Sequence, residues 1–109
     1  MKTLIKNSEI PVEKMAEGIT RQILGYDSNL MVVKVFFEKG AIADLHKHPH
    51  QQIGYIEKGK FEFEIGEKKE LLEKGDSFIA PSNINHGAKC LEQGIIIDTF
   101  SPKRDDFLK

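Results

Sequence analysis

"GAIADLHKHPHQQIGYIEKG", Gly40–Gly59, sets three of the chain's four histidines into the five positions His46 to His50 and follows them at once with Gln51 and Gln52. In extended backbone, side chains of equal parity share a face. His46 and His48 therefore point the same way and can offer two imidazoles to one ion. Gln52 has that parity, and so does His50, but Pro49 removes a ladder donor and predicts a bend or a strand entry there. Parity leaves His50 and Gln52 as alternatives, and raw ligand chemistry for a borderline divalent ion favours the imidazole. The plain alternative is a set of solvated loop histidines.

Outward from this stretch, Gly, Asn, Asp or Pro recurs at short intervals between apolar-rich runs, which is a strand-and-turn rhythm. Strands are predicted over 21–26, 30–38, 50–57, 60–65, 68–73, 77–80 and 94–100, with shorter segments near 41–46 and 86–90. Phe61, Phe63 and Ile65 alternate with Glu62 and Glu64, so that strand buries one face. Residues 30–37 and 95–97 are apolar on both faces, as suits a sheet facing a second layer or a partner chain. Glu57-Lys58-Gly59-Lys60 and Ile65-Gly66-Glu67-Lys68 read as hairpin turns. Residues 1–20 hold Pro11 and Gly18 and sustain no helical period, so at most a short helical turn is expected there. So many short strands in one 109-residue chain predict an all-β barrel or sandwich, one domain over residues 1–109.

Sixteen basic residues against seventeen acidic ones, mixed along the chain, argue against a nucleic-acid or membrane-surface binder. The lone Cys90 excludes a disulfide-stapled scaffold and fits a cytoplasmic location. Met1–Ile10 lacks the apolar run of an export signal, and nothing elsewhere approaches a membrane span.

Gly40, His46, His48, Gln52 and Gly59 stand in fixed spacing, and Gly75, Pro81, His86 and Cys90 form a second spaced set beyond them. The two sets, residues 40–59 and 75–90, resemble the cupin motifs G-x5-H-x-H-x3/4-E-x6-G and G-x5-P-x-G-x2-H-x3-N. The resemblance implies a small antiparallel jelly-roll β-barrel with a short N-terminal extension and a divalent transition metal ion inside. Carried over position by position, it implies His46, His48, Gln52 and His86 as ligands and leaves His50 off the pattern. Three positions depart from it: Gln52 replaces Glu, Asn83 replaces Gly, and Cys90 replaces Asn. The first departure matters chemically. A neutral amide leaves the ion its full charge, favouring Lewis-acid work on an anionic carbonyl or enol compound over high-valent iron chemistry. Zn, Ni, Fe, Mn and Cu all remain open.

In "IIIDTF", Asp98 and Phe100 share the parity of Ile96, so all three face the interior if Ile96 does. A buried carboxylate beside a cation can serve as acid or base; its plain alternative is a strand-end carboxylate in water. Arg104 can clamp a carboxylate through its planar fork, or form a surface ion pair with Asp105 or Asp106.

"GYDSNLMVVKVFFEKGA", "HKHPHQQIGY" and "DTFSPKRDDFL" carry a closer resemblance, over Arg21–Leu108, to the small single-domain cupins of bacterial pectin and alginate degradation. It implies ring opening of 4,5-unsaturated monouronates to linear keto-deoxyuronates, with a small anionic sugar acid as substrate and Asp98, Phe100 and Arg104 around it. It also suggests a homodimer. Two other classes stand beside this reading. One is another metal-dependent cupin, an isomerase, cyclase or dioxygenase acting on a small anionic metabolite. The other is a non-catalytic sugar-binding barrel.

Overall fold

Strands β5, Gln51–Ile65, and β8, His86–Ser101, pair antiparallel along nearly their whole length and form the ribbon on which the barrel is built. The remaining strands are β1 Glu13–Ala16, β2 Ile19–Tyr26, β3 Met31–Phe37, β4 Ile42–His46, β6 Lys68–Glu73 and β7 Ser77–Ala80. The computed structural model describes residues 2–109, and among these the helical turns are 3-10, at Asn7–Glu9 and Asp105–Leu108. No helix among them is long and apolar enough to cross a membrane. The strand order is β1-β2-β3-β8-β5-β6, with β4 added to β8 and β7 to β5.

The long strands serve two layers. One end of the ribbon carries β3 on β8 and β7 on β5; the other carries β4 on β8 and β6 on β5. The two layers face each other as a jelly roll. Phe37 of one meets Phe61 of the other edge-on with ring centroids 5.1 Å apart, and Phe63 meets Phe78 at 4.4 Å. Phe61, Met31, Ile56, Val33 and Cys90 are the largest wholly buried side chains.

The ribbon corrects the sequence reading, which divides it into four strands and puts a hairpin turn at Glu57–Lys60. The chain instead runs straight through. On β5 the buried positions are Gln52, Gly54 and Ile56, then Phe61 and Phe63, so the parity of the inward face switches across Gly59. The register with β8 slips over the same residues. An extra residue in one strand of a pair is a bulge, which bends the strand and lets it pass from one layer to the other. A turn and a bulge share glycine and broken alternation, so the two look alike in sequence. Gly59 has φ +89°, and a Cβ there would lie 2.6 Å from the Gln93 and Glu92 carbonyl oxygens and from Gly94 Cα. Gly59→Ala is expected to destabilise the fold by about 3 kcal/mol, read as a lower urea midpoint at unchanged slope.

The N-terminal region also holds more than expected. Strand β1 is exposed throughout and has no buried face to mark it by alternation. Its pairing with β2, reinforced by Arg21 Nε donating to Glu13 Oε1 at 2.7 Å, makes it a strand. Buried Gln22 donates to the Ile10 carbonyl at 2.9 Å and accepts from Asn7 at 3.0 Å, tying the leading segment down. Met1 lies outside the described residues.

Candidate metal centre and active site

His46 closes β4 and His86 opens β8, and the two are direct cross-strand partners. His48 sits in the turn that leads into β5. Its ring centroid is 4.8 Å from that of His86 and 5.6 Å from that of His46. Potential ligand atoms of the three imidazoles all lie within 4.8 Å of one another.

Their tautomers follow from their other nitrogens. Nδ1 of His46, His48 and His86 lies 2.9 Å from the carbonyl oxygen of Asp44, His50 and Ile84, respectively. A carbonyl only accepts, so each Nδ1 carries a proton; in the neutral ring the lone pair is then on Nε2, the arrangement usual for a ligating histidine. His86 Nε2 is buried without a partner. Burial holds the pKa of His48 and of His86 below the ordinary imidazole value; Arg104 adds to the lowering at both, and the neighbouring imidazoles add further. His48 and His86 are thus neutral where free histidine begins to charge.

Gln52 enters from the first inward position of β5. Its Nε2 donates to Asp98 Oδ1 at 3.0 Å, which turns its Oε1 toward His48 Nε2, also at 3.0 Å. With the His48 proton committed to Nδ1, two lone pairs face each other there. An orphaned imidazole nitrogen, two opposed acceptors and three converging imidazoles fit a cation. A donor set of three imidazoles and an amide oxygen would leave such an ion its whole charge.

Gln52 and the three histidines thus come together, whereas His50 stays outside the trio. The His50 ring is 5.6 Å from that of His48, and its Nδ1 is buried without a partner. Raw ligand chemistry favours His50, but the ligand atoms that converge are those of His46, His48 and His86, while His50 contributes its backbone carbonyl as acceptor for His48.

Asp98 is buried on the inward face of β8 with Ile96 and Phe100, so its water-facing alternative is overturned. Burial pushes its carboxyl pKa up to about 7, against the lowering by Gln52 and Arg104. Space for it comes from Gly54, its register partner. A Cβ on Gly54 would lie 2.8 Å from Asp98 Oδ1 and would clash with the Phe78 ring. Gly54 is the site residue that sequence reasoning passes over. A glycine inside an apolar strand is the available signal, because it marks a close approach.

Phe100 packs its ring 5.9 Å from His48. The Arg104 guanidinium lies over Phe100 at 5.0 Å and over Phe107 at 4.2 Å. Arg104 realises both of its alternatives: it is buried against the site, and it pairs with Asp106.

Two departures from the cupin pattern have local reasons. Asn83 has φ +62°, a conformation that asparagine tolerates better than other non-glycine residues. Cys90 is buried, with Sγ 3.0 Å from the Glu92 carbonyl oxygen, inside the core.

A family model described as a cupin domain matches residues 33–97. The chain is 46% identical to the pectin degradation protein KdgF of Dickeya dadantii (strain 3937) over 110 aligned residues, 99% of this chain and all of that protein. Among solved structures, KdgF from Halomonas sp. superimposes with a TM-score of 0.93 at 40% identity, covering 98% of this chain and 99% of that one. An RmlC-like cupin from Shewanella frigidimarina NCIMB 400 gives a TM-score of 0.94 at 39% identity, covering 98% and 96%.

Proposed function

The chain belongs to the cupin family, and from that premise we propose that it is an enzyme of pectin or alginate breakdown that opens the ring of 4,5-unsaturated monouronates to give linear keto-deoxyuronates. The near full-length likeness to a pectin degradation protein supports the pathway. The observation that carries the chemistry is a buried carboxyl, Asp98, hydrogen-bonded to Gln52 beside the three converging imidazoles.

The reaction moves one proton. The anomeric hydroxyl at C1 gives up its hydrogen, the bond from C1 to the ring oxygen breaks to leave an aldehyde, the ring oxygen stays on C5 as a carbonyl, and C4 gains a hydrogen to become a methylene. Atoms balance without an oxidant or a reductant. Asp98 accepts the hydroxyl proton and returns a proton at C4, and a group titrating near neutrality suits both tasks. Arg104 holds the substrate carboxylate through charge-assisted hydrogen bonds. Phe100 bounds the face of the sugar and keeps water from it. One divalent ion on His46, His48, His86 and Gln52 would supply Lewis acidity toward the uronate oxygens and stabilise negative charge as the enol forms.

The C4–C5 double bond of the substrate is conjugated with its carboxylate and absorbs in the ultraviolet, whereas the product has lost that double bond. Absorbance of a monouronate solution is expected to decay faster with the protein than in buffer alone. Equal decay would sink the reading.

A second copy of the chain is the partner, and the cytoplasm, suited to the unpaired Cys90, is the compartment. The outer face across β7, β5 and β8 supports a dimer. Ile79 lies opposite Ile53 and Tyr55 opposite Ile97, with Ile53, Tyr55 and Ile79 exposed at 54, 47 and 62%. An apolar patch of this kind is a liability on a monomer and closes by two-fold pairing. Ile53→Asp is expected to move the protein from dimer to monomer in analytical ultracentrifugation.

A further inference from the structure

We propose that Asp106 is a positioning residue that holds one edge of Arg104 so that the other edge is free for the substrate carboxylate. This rests on the reading of Arg104 as the carboxylate clamp. A guanidinium offers two usable forks, one formed by Nε with a terminal nitrogen and one formed by the two terminal nitrogens. Asp106 takes the first: Arg104 Nε donates to Oδ1 at 3.0 Å and Nη2 to Oδ2 at 2.8 Å. The remaining donors are both hydrogens of Nη1 and the second hydrogen of Nη2; this last and the Nη1 hydrogen parallel to it make the second fork. The Phe100 and Phe107 rings lie against the guanidinium, and the Arg21 guanidinium lies over Phe107 at 4.0 Å.

The short reach between the two residues comes from the 3-10 turn Asp105–Leu108, whose first backbone bond runs from Phe107 N–H to the Arg104 carbonyl at 3.0 Å. The turn brings Asp106 back beside Arg104 while leaving it half in water. Its side chain is 54% exposed against 11% for that of Arg104. A carboxylate placed in this way can fix a buried cation without itself entering the substrate site. The hydrogen bonds from Arg104 keep the Asp106 pKa below the ordinary carboxylate value, so it stays ionised at working pH. The neighbouring Asp105 has a different partner, Lys103 Nζ at 2.8 Å, and does not touch Arg104.

Asp106→Asn is expected to raise KM for the unsaturated monouronate about tenfold or more, the loss associated with a hydrogen-bonded charged group, with a much smaller change in kcat. Its melting temperature should stay near that of the wild type, because the carboxylate is half-exposed. Asp105→Asn removes the same charge one position away and should leave KM unchanged. In an Arg104→Ala background, which has a raised KM of its own, Asp106→Asn should add nothing, since the two residues act as a unit. If Asp106→Asn leaves KM unchanged while Arg104→Ala raises it, the positioning role is wrong and the clamp stands. A fall in KM overturns the proposal too, because it would make Asp106 a competitor for the fork. If Arg104→Ala leaves KM unchanged, the clamp falls and the positioning role falls with it.

Discussion

Asp98→Asn is expected to lower kcat by about 10²–10⁴-fold, the usual worth of a positioned acid/base group, while KM changes little. The substitution is nearly isosteric. The asparagine Oδ1 can still accept from Gln52 Nε2, so the cluster beside it keeps its geometry. What disappears is a group able to take a proton from the C1 hydroxyl and return one at C4. A wild-type decay rate in this variant would remove Asp98 from the mechanism.

The same substitution has an opposite effect on stability. In the metal-free protein the folded Asp98 titrates at about 7, whereas its ordinary value is 3.8. Between those two pH values the unfolded chain is ionised at this position and the folded chain is not. Stability is therefore lost as pH rises from about 4 to about 7, by an amount on the order of a few kcal/mol. Asparagine has no proton to lose. The variant should match the metal-free wild type near pH 4 and melt higher at pH 7, so the gap between the two melting curves widens as pH rises. A constant gap would mean that burial does not strain the carboxyl. An inactive variant more stable than its parent would locate the strain in the residue proposed to move the proton.

His86→Ala is expected to weaken divalent-ion affinity by more than about 100-fold, beyond what loss of an outer-shell partner does. His86 Nε2 has no partner among the described residues, so its substitution removes only the Nδ1 bond to the Ile84 carbonyl and leaves those of His46, His48 and Gln52 in place. With free ion at a hundredfold excess over its dissociation constant, the wild type gains about 3 kcal/mol of stability. The variant loses this gain. Titration calorimetry and a melting curve with and without added ion read both quantities independently of activity. Proton competition gives the pH dependence: His48 and His86 stay neutral below the ordinary histidine range, so the ion should remain bound at mildly acidic pH and be released further down. An alanine variant that retains wild-type affinity would exclude His86 as a ligand.

The sequence makes the site more legible than the path of the chain that builds it. Parity alone places Asp98 with Phe100, because a strand has only two faces, whereas His48 reaches His46 from the turn beyond the end of β4. The cupin resemblance brings His86 to the cluster from β8, a cross-strand relation that no local pattern contains. Hidden from a linear reading are the features that depend on two strands at once. Gly59 looks like a turn until Gly94 is seen pressed against it. Gly54 looks like a gap in a hydrophobic run until Asp98 and Phe78 are found filling it. Gln52 looks like a weakened ligand. In the fold it faces Asp98 at 3.0 Å, where a glutamate would set two carboxylates side by side and bind their proton affinities together.

The continuous ribbon of β5 and β8 carries a further consequence, in the time domain. His86, Asp98 and Phe100 all lie on β8 and Gln52 on β5, whose mutual pairing runs the length of the barrel. Amides on such a spine exchange with solvent mainly through global unfolding, whereas those of a terminal 3-10 turn exchange through fraying. Deuterium should therefore enter at Asp105–Leu108 early and at the middle of β8 last. Arg104, the proposed carboxylate clamp, is thus tied through Asp106 to the fast element, and Asp98, the proposed proton carrier, sits on the slow one.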